Sequence, residues 1–421
     1  MRLVRRQVFR LMRTPIVALA IFLAFVVSAQ PSRRNSMLAT FIKYASIDSQ
    51  SDDETPWPCT AGQLEMAQAI AADVKQAIDK SCVREASVEV SADGYVYVRI
   101  PSNIKSECPS LGISCHLDVT PEAKGGNIKP IVDLLNGHTV VRTDGSTLLG
   151  ADDKCGVTIA VELIRTVLLT PTIKHGNLFF VFCPNEDVGR AADKIDATAF
   201  CPDILFDLDG EEFGVITKSN FTARRFDVKF IGHDAHPGDA KAQKYGDAIA
   251  AAAAYVSYFP VECRPENSEG KQGYIHPWNF AKEGVDVTVN SRVRYFDKSE
   301  GELFDRMLAG AIADVGRKFP NVKIEVVADE LQYENVAYTL HPQAQLLVEN
   351  AASKVGMDIK FADERGGTTS AMMAARGLKG GMCVFAGMHN VHSTREYADI
   401  HEMEEAYSLM LEVIKEIPIL K

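Results

Sequence analysis

No apolar run in this sequence reaches the roughly 18 residues that a helix needs to cross a bilayer; the most apolar stretch is Pro15–Val27. Stable membrane association is therefore not expected. Nor is there a basic excess. The 421-residue chain carries a net charge of −11, which argues against a nucleic-acid partner, since phosphate binding requires a basic face. None of the nine cysteines (Cys59, Cys82, Cys108, Cys115, Cys155, Cys183, Cys201, Cys263 and Cys383) forms a C-x-x-C pair. Their number is odd, and a chain of this length needs no disulfide staples. Several lie inside apolar runs, where cysteine acts as a small hydrophobe. This usage points to a reducing compartment and so to the cytoplasm. Internal repeats and low-complexity segments are also missing. What is present is an ordinary globular composition, 46% hydrophobic and 24% charged, in a chain too long for one typical core, so two domains are expected.

The N-terminus lacks acid altogether. Residues 1–36 carry seven arginines and no aspartate or glutamate. Basic residues, the apolar segment Pro15–Val27 and then "VSAQ" follow signal-peptide grammar over residues 1–29, which would mean export. The other reading makes residues 1–36 an extension upstream of a start at Met37, and the cysteine usage favours it.

Periodicity predicts helices over Met37–Ser49 and Ala61–Lys80 and strands within Ser87–Pro101. An α/β rhythm follows: strand "LGISCHLD", a loop and then a helix from about Lys154, strand "NLFFVFCPNED" ending at Glu186–Asp187, and strand "DILFDLDG" ending at Asp209. Continuous apolar strands alternating with helices predict a mostly parallel, buried sheet. After about Asn220 the strands alternate instead, in "RRFDVKFIG" and "GVDVTVNSRVRYFD", with helices between. That order predicts a smaller α+β unit of β-α-β-β-α-β type. From about Pro342 the first rhythm resumes with a helix to Val355, the strand "GGMCVFAG" and a last helix over Met403–Ile417. The expected organisation is a catalytic domain of the α/β class over residues 37–217 and 335–421, with a ferredoxin-like lid inserted at 218–334.

Polar residues recur where the predicted strands end: His116 and Asp118, Asp152 and Asp153, Glu186 and Asp187, Asp209, and His392 in "HNVHSTRE". His116 and Asp118 share a face, because a strand has period two. In open α/β sheets ligands bind at the carboxyl ends of the strands. Singly, each residue has a plain structural reading: Asp152 as a helix N-cap, the other acids as solvated groups, a histidine as a core residue. Together they make a metal constellation. The absence of clustered cysteine favours an open catalytic site, and oxygen and imidazole donors suit zinc, manganese or cobalt. A carboxylate shared by two ions about 3.5–4 Å apart would make a two-metal hydrolase.

The segments "SCHLDVTPEAKGGNIKP", "LLGADDKCG", "CPNEDVGRAADKIDATAF", "DLDGEEFG", "GHDAHPGDAKAQKYGDAI", "RGGTTSAMM" and "HNVHSTREYADI" resemble, in the same order, the peptidase T branch of the co-catalytic zinc peptidase family, which also contains acylases and succinyl-diaminopimelate desuccinylase. The resemblance covers about Met37–Leu420, and residues 1–36 have no counterpart in it. It implies a zinc-peptidase-like catalytic domain and two zinc ions per chain, with manganese or cobalt as substitutes. The implied ligands are His116, Asp152 as the bridging carboxylate, Asp187 paired with His392 on one ion, and Asp209 beside His116 on the other. Asp118 would orient the His116 imidazole, and Glu186 would be the general base.

The implied activity is removal of the N-terminal residue from tripeptides. Small peptides would be the partners, with a homodimer through the lid as in some relatives. In the lid, the resemblance implies that His236 reaches towards the scissile carbonyl. Arg294 and Arg365 would hold the substrate's C-terminal carboxylate through their planar forks. By themselves, His236 reads as a turn residue and Arg294 as an exposed strand residue, with Arg292 an alternative. Two departures stand out, the first bearing on metal affinity and the second on substrate preference. Asp187 stands where the branch usually has glutamate, and Thr369 stands where it usually has aspartate. A dipeptidase or an amidohydrolase of N-acyl amino acids is therefore the alternative within the family.

Overall fold

The computed structural model describes residues 32–420. The signal-like segment expected over residues 1–29 lies outside the described residues. An eight-stranded sheet forms the centre of the fold. Its middle strands Leu178–Cys183, Leu111–His116, Ile204–Gly210 and Met382–Phe385 run parallel, while Ser87–Val90 and Val96–Ile100 form an antiparallel edge. At the other edge Lys360–Glu364 pairs in parallel with Val215–Asn220, which is antiparallel to Met382–Phe385. The strand Leu111–His116 is buried at every position, because helices cover both faces of a parallel sheet and leave no solvated side to alternate with. The helix Ala151–Leu169 is buried nearly all round, the pattern of a helix enclosed by others. It packs close beneath the sheet at Gly156, where a Cβ would meet the Leu208 carbonyl at 2.0 Å.

A second sheet runs in the order Tyr274–Glu283, Asp286–Tyr295, Thr222–Ile231, Lys323–Tyr333, antiparallel throughout. With helices Ala248–Tyr258 and Lys298–Lys318 this is the expected β-α-β-β-α-β unit, in ferredoxin-like order. One face of it buries Phe226, Val228, Phe230, Val287, Val289 and Val293 against Ala251, Tyr255, Phe304 and Leu308. The expected division at 217/218 falls inside the strand Val215–Asn220 of the central sheet. A third, small sheet was not foreseen from the sequence. It joins the hairpin Ile131–Leu135/His138–Arg142 to two short segments near residues 388 and 398.

Several boundaries differ from expectation, among them the helix expected from about Lys154, which starts at Ala151. The first helix spans Arg33–Ala45, starting before Met37. Arg33 stacks on Tyr407, Arg34 pairs with Glu404 and the Ser36 hydroxyl donates to Glu162, so tertiary contacts extend it towards the N-terminus. The strand expected to end at Glu186–Asp187 stops at Cys183. Asn185 then takes a left-handed φ of 59° and turns the chain. The last helix spans Ile400–Glu416, because Asp399 caps it by accepting from His401 and Glu402 N–H.

Candidate metal centre and active site

The strand Leu111–His116 delivers His116 to the carboxyl edge of the central sheet. Its Nε2 lies 2.8 Å from Asp152 Oδ1 and 3.5 Å from Asp209 Oδ1, and its Nδ1 lies 3.4 Å from Asp118 Oδ1. Asp118 is fully buried, and its carboxylate also accepts from the N–H groups of Glu186 and Asp187 at 3.0 and 3.1 Å. One acid thus lies beside the imidazole and holds the turn that carries the next two acids. Asp153 instead accepts from His116 N–H and Gly156 N–H and is fully buried, so it holds the helix start rather than facing the cleft.

Asp152 sits at the front of helix Ala151–Leu169, where its φ/ψ of −79°/113° is non-helical. Glu396 holds this corner. Its carboxylate accepts from Leu149, Gly150 and Asp152 N–H at 3.2, 2.6 and 3.0 Å. On the far side, His392 Nε2 lies 3.4 Å from Asp152 Oδ2 and 3.1 Å from Asp187 Oδ1, while its Nδ1 is 3.0 Å from Glu122. His392 has a φ of 57°, a costly backbone conformation for a residue with a Cβ and one concentrated at functional sites.

Two donor sets result. Ligand atoms of His116, Asp152 and Asp209 lie within 4.8 Å of one another, and so do those of Asp152, Asp187 and His392. The two oxygens of Asp152 face different sets. A third grouping, His116 with Asp118 and Asp187, meets the same distance. Burial pushes the Glu186 and Asp209 carboxyls well above their usual range, and neighbouring carboxylates push them the same way. Asp187 is raised to about 6, chiefly by burial and against its contact with His392. Asp152 is held low despite burial by His116 and His392. Desolvated carboxylates facing one another are costly, and cations placed among them would remove that cost. Asp187 Oδ2 is buried without a hydrogen-bond partner, as a free ligand oxygen would be. The donor set fits divalent metal.

His116, Asp152, Glu186, Asp187, Asp209 and His392 line one cleft of about 840 Å³, with Asp118 behind them. Glu211, Glu212, Asp363 and Glu364 extend the acidic lining, and among the described residues no lysine or arginine contributes to it. The structure does not bring His236, Arg294 or Arg365 into this cleft. His236 is exposed on a 3-10 turn, and its Nδ1 accepts from Gly238 N–H. Arg365 donates to the carbonyls of Gly270 and Gln272 and to Ser268 Oγ, and lies over the Phe221 ring. Arg294 donates to the carbonyls of Arg224 and Val293. Thr369 is fully buried, away from the cleft lining, which includes Thr368 instead.

Two buried acids were missed in the sequence. Asp207 accepts from Ser114 Oγ and Ser370 N–H beneath the site; its period-two relation to Asp209 was a usable signal. Glu396, four residues after His392 in "HSTRE", offered none beyond its motif.

Residues 112–416 match the family model described as peptidase family M20/M25/M40. The chain belongs to that family. It is 30% identical over 404 residues to a protein named peptidase T from Clostridium perfringens, covering 89% of this chain and 97% of that one. A peptidase T from Geobacillus thermodenitrificans is 28% identical over 412 residues, covering 91% and 98%. Among solved structures, aminopeptidase PepT from Bacillus cereus superposes with a TM-score of 0.73 at 19% identity, covering 92% of this chain and 99% of that one. An aminoacylhistidine dipeptidase from Vibrio alginolyticus gives 0.64 at 15% identity, covering 91% and 96%. These structural likenesses show a common fold. By family and relatives the chain is a hydrolase of the metallo-aminopeptidase kind, with peptides as its substrates.

Proposed function

We propose that the chain is a di-zinc aminopeptidase that releases the N-terminal residue of tripeptides. The observation that carries this reading is the placement of Asp152, whose two oxygens face two separate histidine–aspartate sets. His116 and Asp209 would hold one ion, Asp187 and His392 the other, and Asp152 both. Manganese or cobalt could replace zinc, the more so because Asp187 is one methylene shorter than the glutamate usual in the branch. Such ions would supply Lewis acidity and a water of lowered pKa.

The chain's own groups do the rest. Glu186, in the same cleft and pushed up in pKa by burial, accepts the proton of the attacking water and returns it to the leaving amine. Asp118 keeps His116 oriented. The acidic lining from Glu211, Glu212, Asp363 and Glu364 favours a substrate end that carries a positive charge, as a free α-amine does and an N-acyl group does not. His236 and Arg294 would act after a closure that brings the antiparallel unit over the cleft. Arg365, already bound to three groups of residues 268–272, would first have to be released. The free edges of that unit, at Tyr274–Glu283 and Lys323–Tyr333, are where a second copy would pair. Nine free cysteines suit a reducing cytoplasm. Among the described residues no helix is long and apolar enough to cross a membrane.

The test is turnover of a dipeptide, a tripeptide, a tetrapeptide and an acetylated tripeptide by metal-stripped protein with zinc, manganese or cobalt restored. Metal-dependent release of the first residue from the free tripeptide alone is expected. Equal cleavage of the acetylated peptide would move the enzyme to the amidohydrolases, and preference for the dipeptide would make it a dipeptidase.

A further inference from the structure

The antiparallel sheet buries one face under its helices, and its other face holds a pocket of about 430 Å³. Among the described residues three guanidiniums line that pocket, from Arg225, Arg292 and Arg294, with Asp227 as the one acid. Arg225 and Arg292 stand directly opposite one another on neighbouring strands, an arrangement that costs stability when both are charged. Arg225 is offset by Asp227 at 2.7 Å and Glu330 at 3.6 Å. Arg292 has no ion pair and no side-chain hydrogen bond among the described residues; its guanidinium lies 4.8 Å over the Trp278 ring. Stacking of this kind holds the planar fork in place and leaves its N–H edge for a ligand. Arg294 uses one amino group on two carbonyls, places the other 3.4 Å from Gln332 Oε1 and lies 5.4 Å over the Tyr333 ring, so a carboxylate would have to displace only the long contact to Gln332. That ring connects the pocket to the catalytic cleft. It abuts Gly367, where a Cβ would come within 2.8 Å of it, and Gly367 lines the cleft.

We propose that this pocket is a subsite for an acidic C-terminal residue of the substrate, in which Arg294 pairs with the α-carboxylate and Arg292 with the side-chain carboxylate. The inference rests on the aminopeptidase reading above. A neutral C-terminal residue supplies one carboxylate to a pocket whose lining carries two guanidiniums more than acids; glutamate or aspartate supplies two. Asn290 and Gln332, on the same lining, provide neutral amide donors at its edge.

The test compares Ala-Gly-Glu with Ala-Gly-Gln, using the full chain with metal restored. The wild type should favour the glutamate peptide by about 10- to 100-fold in kcat/KM, the range one charge-assisted hydrogen bond supplies, with the difference carried by KM. Arg292→Leu should bring that ratio close to one, and Arg292→Glu should shift preference to Ala-Gly-Lys. Arg292 is exposed on its strand, so neither change removes core packing. Equal use of the two peptides by the wild type, with the ratio unmoved in Arg292→Leu, overturns the subsite and leaves the aminopeptidase standing. Failure to cleave any peptide overturns the aminopeptidase reading instead. The pocket is then judged by calorimetry with Gly-Gly-Glu and Gly-Gly-Gln, and Arg292-independent binding of both overturns it. Succinate that binds through Arg292 while the peptides show no glutamate preference would assign the pocket to a free dicarboxylate and overturn the substrate assignment.

Discussion

The metal cleft and the arginine pocket of the antiparallel sheet handle charge in opposite ways. In the cleft, His116, Asp118 and Asp187 are nearly inaccessible, with side chains 1%, 0% and 3% exposed, and carboxylates face carboxylates. In the pocket, Arg225 is about half exposed and water can solvate its charge. Buried like charges cost several kcal/mol each unless paired, whereas exposed ones cost little. Cations should therefore stabilise the cleft, whereas the pocket should not need its anion to be stable. A ligand missing from the first should be felt as lost stability and lost turnover. A ligand missing from the second should be felt only as lost selectivity.

The largest break in this comparison should come from Glu186→Gln. Glu186 lines the cleft without belonging to either donor set, so the change should leave metal content intact. It should lower kcat by about 10²–10⁴-fold, the usual worth of a positioned general base. Metal analysis alongside steady-state kinetics checks both halves. Loss of metal together with turnover would make Glu186 a ligand rather than a base.

That contrast also explains what the sequence disclosed. His116, Asp118, Asp209 and the loop of Asp152 were legible because their signal is local: a strand ends, period two sets the face, and an acid follows. The β-α-β-β-α-β unit was legible for the same reason, since "RRFDVKFIG" and "GVDVTVNSRVRYFD" alternate cleanly. The hairpin Ile131–Leu135/His138–Arg142 was not, because the apolar residues of its first strand are exposed, with Leu134 at 72%, and only the adjacent Val140 and Val141 of the second are buried, which is no alternation. "VITKSN", the strand Val215–Asn220, has no alternation to read. Glu396 looks like any surface acid until the fold places three backbone N–H groups around it. Arg365 likewise reads as a ligand-binding arginine. Its partners are two main-chain carbonyls and the Ser268 hydroxyl, 93 to 97 residues earlier, and no local pattern encodes such bonds.

Glu396→Gln sharpens the comparison on the cleft side with a smaller effect. The substitution keeps the shape but removes the charge that binds the N–H groups of Leu149, Gly150 and Asp152. Asp152 would be held less firmly between its two donor sets. Metal affinity should fall by about 10–100-fold, as it does when a group that orients a ligand is lost, while saturating metal restores most of kcat. Titration of stripped protein with zinc reads the affinity. A fall in kcat that no metal concentration restores would place Glu396 in the chemistry itself.

The smallest effect is expected on the other side. Glu330 sits 3.6 Å from Arg225, with both side chains more than half exposed, at 61% and 51%. Exposed pairs of this kind contribute at most about 1 kcal/mol, so Glu330→Gln should barely move a denaturant midpoint. Yet the change strips one of two acids from beside Arg225 and makes the pocket more positive. Affinity for a glutamate-ended peptide should rise a few-fold as stability stays level, and calorimetry beside urea unfolding separates the two. The opposite outcome, a clear loss of stability with no change in peptide affinity, would mean that the arginines of this face are structural. The distinction between a cleft that needs its ligand to be stable and a pocket that needs one only to select would then fail.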